Sequence, residues 1–559
     1  MSPFAVLLRH SFADLLRTDA ASDEDSYKAW LIQILALLLA ASWYIPANLH
    51  ARYTEVHRLG NTRLYFETYS SDCLSALLLL ALLTGLITVI EWRALFPSRC
   101  DHMVLTPLPL TRIQLFAAKL GALVLFVGIA AGSMSLITGV ALPGIASGPL
   151  EPRPQFLRMA AFTLAALGTC AFTFLGLLSI QGLLMALLPV RWFERASFAM
   201  QLLLGVTLVC GFPLFPSFPA RELIHGQSPW MDRIPPAWFW GAAERMIGGT
   251  SLWLDRLTRH AESGLAIALS IAILTYLVSY LQYSRHSLEW PARSRAKLID
   301  IPALLARMFP TQPSRATAEF VLKTLARARE QKMAFLLIFG IGVALVIESS
   351  TYLSLHPPRR AALLAREQAA IGIPLTLSFF ALLGLRRAFR MPEELPANWL
   401  FRFHEDPAAR QSQLNTVTTC FLLIGGVPLL LLTTPLEITF FHERAVWVML
   451  AQAAVMFTFA RYLLRDWRAI PFTVAQNPGR RHFIQSVVIH LAELIIYALM
   501  VPSWILRGLS NPIWFLVLTA LLGFVNLYLH RIGKPDAEAP LEFTEPVARA
   551  VEALRLLPE

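Results

Sequence analysis

Twelve stretches of roughly 20 mostly apolar residues constrain this chain more than any other feature. They fall at 29–47, 73–91, 120–142, 159–188, 196–216 and 261–283, then at 333–353, 369–386, 416–436, 445–464, 483–505 and 512–530. Each is long enough to cross the hydrocarbon core of a bilayer as a helix. The fourth is unusually long, and Gly182 is a candidate break in it. Composition agrees, because 56% of the 559 residues are hydrophobic and only 15% are charged. A soluble chain runs nearer half apolar and a quarter charged. The expected fold class is therefore all-α: a polytopic membrane protein of about 12 transmembrane helices in two six-helix halves, with amphipathic interfacial helices. A disordered chain, a disulfide-rich secreted scaffold and a soluble enzyme on a single anchor are excluded.

Charge sets the expected orientation. With the N-terminus placed in the cytoplasm, Lys and Arg favour the inner segments over the outer loops by more than two to one. That bias fits an even number of spans and both termini inside. The formal charge of +11 is thus a topological signal, and no nucleic-acid partner is expected. Asp14, Asp19, Asp23, Glu24 and Asp25 precede the first apolar run, which is wrong for a cleavable signal peptide. Cys73, Cys100, Cys170, Cys210 and Cys420 have no metal-ligand spacing and read as small hydrophobes without disulfides. The longest polar insertion, 284–332, lies at the midpoint and is strongly basic. The chain therefore divides into a first six-span half (1–285), a basic linker with a surface helix (286–332), a second half (333–530) and a cytoplasmic tail (531–559). A six-plus-six layout implies an architectural duplication.

Each half begins with an amphipathic segment. In residues 2–17, Phe4, Leu8, Phe12 and Leu15 recur at helical spacing, with Ser2 as cap and Pro3 at the first helical position. In 314–332, Ala318, Val321, Leu322, Leu325 and Ala328 form one stripe, opposite Arg315, Glu319, Lys323 and Arg327. Both are expected to lie on the membrane surface or beside a cytoplasmic partner. The loop 91–120 is too long and polar for a simple hairpin. Pro107 and Pro109 break it, and Thr111 is placed to cap a short helix from Arg112 to Lys119 that joins the third span.

That loop resembles a known pattern. Leu108, Pro109, Leu110, Thr111, Arg112 and Lys119 are similar to the segment between the second and third spans of ABC-2 type exporter permeases, where it forms the coupling helix. The family also starts with an interfacial helix and carries short extracellular helices between spans five and six. Here the loop 217–260 contains Pro235, Pro236, Trp238, Phe239 and Gly241, which resemble the family's Pro-x-x-Trp-Phe-x-Gly segment and mark an extracellular gate region. In the second half, Ala397, Asn398 and Trp399 occupy the equivalent of the coupling loop, and 468–481 follows span ten. Between spans eleven and twelve only 506–511 remain, so the extracellular helices are absent there. The resemblance implies the permease subunit of an ATP-driven exporter in a bacterial inner membrane, with the two halves as a pseudo-dimer. ATP and Mg would be handled by separate ATPase subunits, since no GxxxxGK[ST] occurs in this chain.

Neither catalytic nor metal-binding residues are expected. His490 and Glu493 lie at i, i+3 in span eleven and form an intramembrane polar pair, structural or proton-relaying. This pair is the feature a secondary, ion-coupled transporter would use. A membrane enzyme acting on lipid-linked substrates would instead need Glu222, His225, Asp232, Glu244 and Asp255 gathered into one site. Glu91 and Glu348 sit near span ends. Trp30, Trp43, Trp92, Trp192 and Trp447 read as interfacial anchors, and Gly425 with Gly426 as a point of close helix packing.

Overall fold

The computed structural model describes residues 3–16, 49–92, 95, 111–215, 218–286, 301–355, 361–393, 395–474, 483–532 and 540–544. Among them there is no strand. Ten helical segments are long and apolar enough to cross a membrane. One of these, Arg410–Leu463, folds back on itself and contains expected spans nine and ten. The chain is an all-α polytopic membrane protein. Expected span one, at 29–47, lies outside the described residues, as do Trp30 and Trp43.

Two compact units divide at Arg293/Ser294. Unit 1 contains α1 (Pro3–Leu16), α2 (49–59), α3 (Thr62–Ile90), α4 (Arg112–Ile145), α5 (Gln155–Leu187), α6 (Val190–Leu214), α7 (Ala220–His225), α8 (Pro235–Met246) and α9 (Leu252–His286). The centre of the unit is α5, which packs on α3, α4, α6, α8 and α9. It runs unbroken through Gly182, which is buried. Span two is longer than its apolar run: α3 begins at Thr62, capped by Asn61, and so includes polar residues that read as loop in sequence. Nor is there a separate helix after Thr111. The capped segment continues directly into span three as one 34-residue helix.

Unit 2 contains α10 (Ile301–Ala306), α11 (Gln312–Arg327), α12 (Arg329–Leu355), α13 (Ala361–Phe389), α14 (Asn398–Phe403), α15 (Arg410–Gly425), α16 (Val427–Phe441), α17 (Ala445–Leu463), α18 (Phe483–Ile495), α19 (Val501–Ser510) and α20 (Pro512–Ile532). Its central helix is α13, packed against α12, α15, α16, α17 and α19. Gly342 of α12 faces the Phe380 side chain, and Gly384 of α13 faces the Phe335 carbonyl; a Cβ on either would sit 2.9 Å from its neighbour. Small residues let two helices approach closely where lipid removes the hydrophobic drive for association. Gly425 plays the same part against Leu382 and Leu385, while Gly426 marks the break between α15 and α16. A single residue, Asn511, separates α19 from α20.

Burial overturns two expectations. Trp92 is fully buried, and its Nε1 donates to Ser197 Oγ at 2.9 Å, so it is a core residue and not an interfacial anchor. Trp192 and Trp447 are exposed near helix starts. The apolar stripe of the second amphipathic helix is covered by protein: Ala318, Val321, Leu322 and Ala328 are buried, and α11 packs on α15. The helix also ends at Arg327, five residues before the expected 332, and Arg329 starts α12. By contrast, Ile513, Leu516, Phe524 and Leu527 of α20 are all exposed. A belt of this kind fits lipid as its solvent.

Candidate functional site

At one end of unit 2, three segments are stitched together around α14. Asn398 is 4% exposed, and its Nδ2 donates to the Thr473 carbonyl at 2.8 Å and the Thr544 carbonyl at 3.0 Å. One amide thus ties the helix start to two distant stretches of chain. The backbone N–H groups of Glu542 and Thr544 donate to the carbonyls of Arg468 and Thr473, at 2.8 and 3.3 Å. Leu541 N–H donates to Glu405 Oε1, which also accepts from Arg410. Phe401 turns inward and meets Phe320 of α11 edge-on at 5.0 Å. With Asn398 and Phe401 turned in, Trp399, Leu400 and Phe403 are left exposed, at 66%, 46% and 79%. Trp399 and Phe403 share a face, being four residues apart on a helix. Beside this patch runs a groove lined by Glu319, Phe320, Lys323, Thr324, Arg327 and Glu393.

The matching loop of unit 1 is described only at its two ends, at 91–92 and 95 and from Thr111 onward. Leu108 and Pro109 lie outside the described residues. Thr111 is the N-cap of α4 in a reciprocal capping box: Gln114 N–H donates to Thr111 Oγ1 at 3.3 Å, and Thr111 N–H donates to Gln114 Oε1 at 3.0 Å. Arg112 is the first residue of the helix, and its side chain lies outside the described residues. Lys119, two turns on, is half-buried. Across the helix, α1 packs on α4, with Leu8 against Gly121.

Pro236, Trp238 and Gly241 come together on α8, at the opposite end of unit 1. Pro235 and Pro236 occupy the first turn, where a missing N–H costs nothing. Trp238 Nε1 donates to the Asp232 carbonyl at 2.9 Å, and its ring packs edge-on against Phe172 of α5. Gly241 lies against Leu257 of α9, so close that a Cβ would sit 2.6 Å from the Leu257 Cβ. The segment between spans five and six therefore does hold short helices, held by contacts to two long ones.

Beneath α8 is a buried polar cluster that sequence reading missed. Arg158, in the first turn of α5, is 1% exposed. Its guanidinium donates to the Tyr65 hydroxyl at 3.0 Å, lies 3.6 Å from Glu151 and covers the Tyr69 ring at 4.2 Å. Tyr65 donates in turn to the Ala146 carbonyl. Asp72 accepts from Arg52 and Tyr53 at 3.0 and 2.9 Å. Arg153 pairs with Glu244 of α8 at 3.2 Å. Burial pushes the Glu244 carboxyl above its usual range, against the pull of Arg153. The polar groups weighed for a membrane enzyme are not gathered. His225 pairs with Glu67, Asp232 with Arg256, and Asp255 with Arg245, while Glu222 is exposed.

In unit 2, His490 and Glu493 do meet, with Nδ1 2.8 Å from Oε2. Sequence reading did not find their third partner: the Tyr462 hydroxyl donates to Glu493 Oε1 at 2.7 Å, and Arg465 covers the Tyr462 ring at 4.4 Å. Both carboxylate oxygens are thus engaged. Among the described residues no group of three His, Cys, Asp or Glu side chains is placed to hold a metal ion. Comparison with protein-family models, with curated proteins and with solved structures gives no match to this chain.

Proposed function

We propose that this chain is the permease subunit of an ATP-driven exporter of the ABC-2 type, with two six-span halves fused in one polypeptide. It resides in the inner membrane of a bacterium with both termini in the cytoplasm. A separate ATPase binds ATP and Mg, and its closure pushes on short helices at the cytoplasmic ends of the spans. The observation that carries this reading is α14: Asn398 fixes it to backbone carbonyls from two other segments, while Trp399, Leu400 and Phe403 stay uncovered. A helix anchored on one side and apolar on the other is suited to receive a partner and pass on a load. The tagged full chain, purified gently from its native membrane, is expected to bring a P-loop ATPase with it. Trp399→Ala with Phe403→Ala should cut that retention at least tenfold without loss of the folded chain. A clean chain with no ATPase in more than one mild detergent would overturn the proposal.

A second reading, an ion-coupled transporter, is favoured by the His490–Glu493–Tyr462 chain of hydrogen bonds. It predicts transport that persists without any ATPase and is lost in Glu493→Gln.

A further inference from the structure

The hairpin of α16 and α17 holds a buried carboxyl group that neither reading uses. Glu437 lies one turn before the hairpin bend and is 0% exposed; Gln452 of α17 is also 0% exposed. Gln452 Nε2 donates to Glu437 Oε1 at 2.7 Å and to the Ile371 carbonyl of α13 at 3.3 Å. That spends the donor capacity of the amide. Two acceptors are left over, Glu437 Oε2 and Gln452 Oε1, both buried and without a hydrogen-bond partner. They belong to the two groups that already share a bond.

Charge does not supply the missing partner. At this end of the unit α13 carries Arg366 and Glu367, and the bend carries His442, Glu443 and Arg444, all three exposed. Arg386 and Arg387 lie at the other end of α13, Arg410 at the start of α15 and Arg461 near the end of α17. None of these forms an ion pair with Glu437, whose hydrogen bond comes from Gln452. An ionised carboxylate accepts only, whereas a protonated one also donates. An isolated charge inside a membrane-spanning helix pair is strongly disfavoured and neutralises instead. A single proton on Oε2 gives one orphan a hydrogen to donate, and the other orphan, Oε1 of the amide that already bonds this carboxyl, is an acceptor.

We infer that Glu437 is a proton-binding site in the membrane-spanning part of unit 2, where it pairs as a neutral carboxylic acid with the Gln452 amide. The ligand is the proton itself. The buried carboxyl holds a proton that the same group exposed to water would release. This inference is independent of the ATPase, and its test reads no transport.

The full-length chain reconstituted in lipid should show, at neutral pH, the infrared carbonyl stretch of a buried neutral carboxylic acid. Glu437→Gln should remove that band. Because the substitution keeps shape and pairing, the chain should still fold. Gln452→Met provides a second check: the band stays but shifts upward, as it does when an acid loses its hydrogen-bonded partner. A native spectrum identical to that of Glu437→Gln, or a band unmoved by Gln452→Met, would overturn the inference.

Discussion

Single side chains in this protein carry burdens that their sequence positions barely advertise. Asn398 is one amide in a polar loop, yet it closes the contact between three segments. Asn398→Ala removes one donor from each of two carbonyls, of which that of Thr473 keeps the Thr544 N–H, and should destabilise unit 2 by about 1–3 kcal/mol in denaturant titration; an unchanged midpoint would mean the bonds are dispensable. Gly241→Ala places a methyl on the Leu257 Cβ. It should cost about 1–3 kcal/mol through overpacking, visible as a lower melting temperature. His442 sits at φ 50°, ψ −119°, a conformation glycine adopts without strain. His442→Gly should therefore raise stability by about 1 kcal/mol, and a loss instead would show that the histidine side chain supports the bend. The apolar runs could not announce any of these. A hydropathy pattern reports which face is buried, not which backbone carbonyl an amide reaches.

Among elements, what repeats was legible and what is stitched was not. The apolar stretches beyond the first fall within long helical segments, although expected span nine is divided at Gly426, and the i, i+3 spacing of His490 and Glu493 was enough to bring them together. Tyr462 escaped notice because it comes from another helix, 31 residues away. The start of α3 is not legible because polar side chains interrupt its first ten residues, Thr62–Ser71, and some of them are paired: Glu67 alone meets Arg63, Arg221 and His225. The stripe of α11 is legible as apolar from its spacing, but its expected cover, the membrane surface or a cytoplasmic partner, is replaced by the protein itself. For α8, the raised Glu244 carboxyl gives a testable pH dependence. The folded unit keeps a proton that the unfolded chain releases near pH 4, so this contribution is complete below that pH and is lost as pH rises through the folded value. Glu244→Gln should flatten that part of the stability curve, and parallel curves for the two proteins would remove Glu244 as its cause.

On the scale of the whole molecule, the ten long apolar segments among the described residues and their exposed apolar side chains make lipid the natural solvent. The hairpin whose first arm is α15 with α16 and whose second is α17 should then present its bend and its start before Arg410 to opposite sides of the membrane. Ala408→Cys and Glu443→Cys, each in a chain lacking other reactive cysteines, should be labelled by an impermeant thiol reagent from opposite faces; labelling from one face would deny that the hairpin crosses. The uncut length of α4 has a mechanical meaning. Its 34 residues make a rod of about 50 Å, with a reciprocal cap at Thr111 and its sole proline, Pro143, almost at the other end. Such a rod has no joint in which a small rotation could be absorbed. A tilt of about 5° imposed at Thr111 would displace the far end by about 4 Å, by leverage alone.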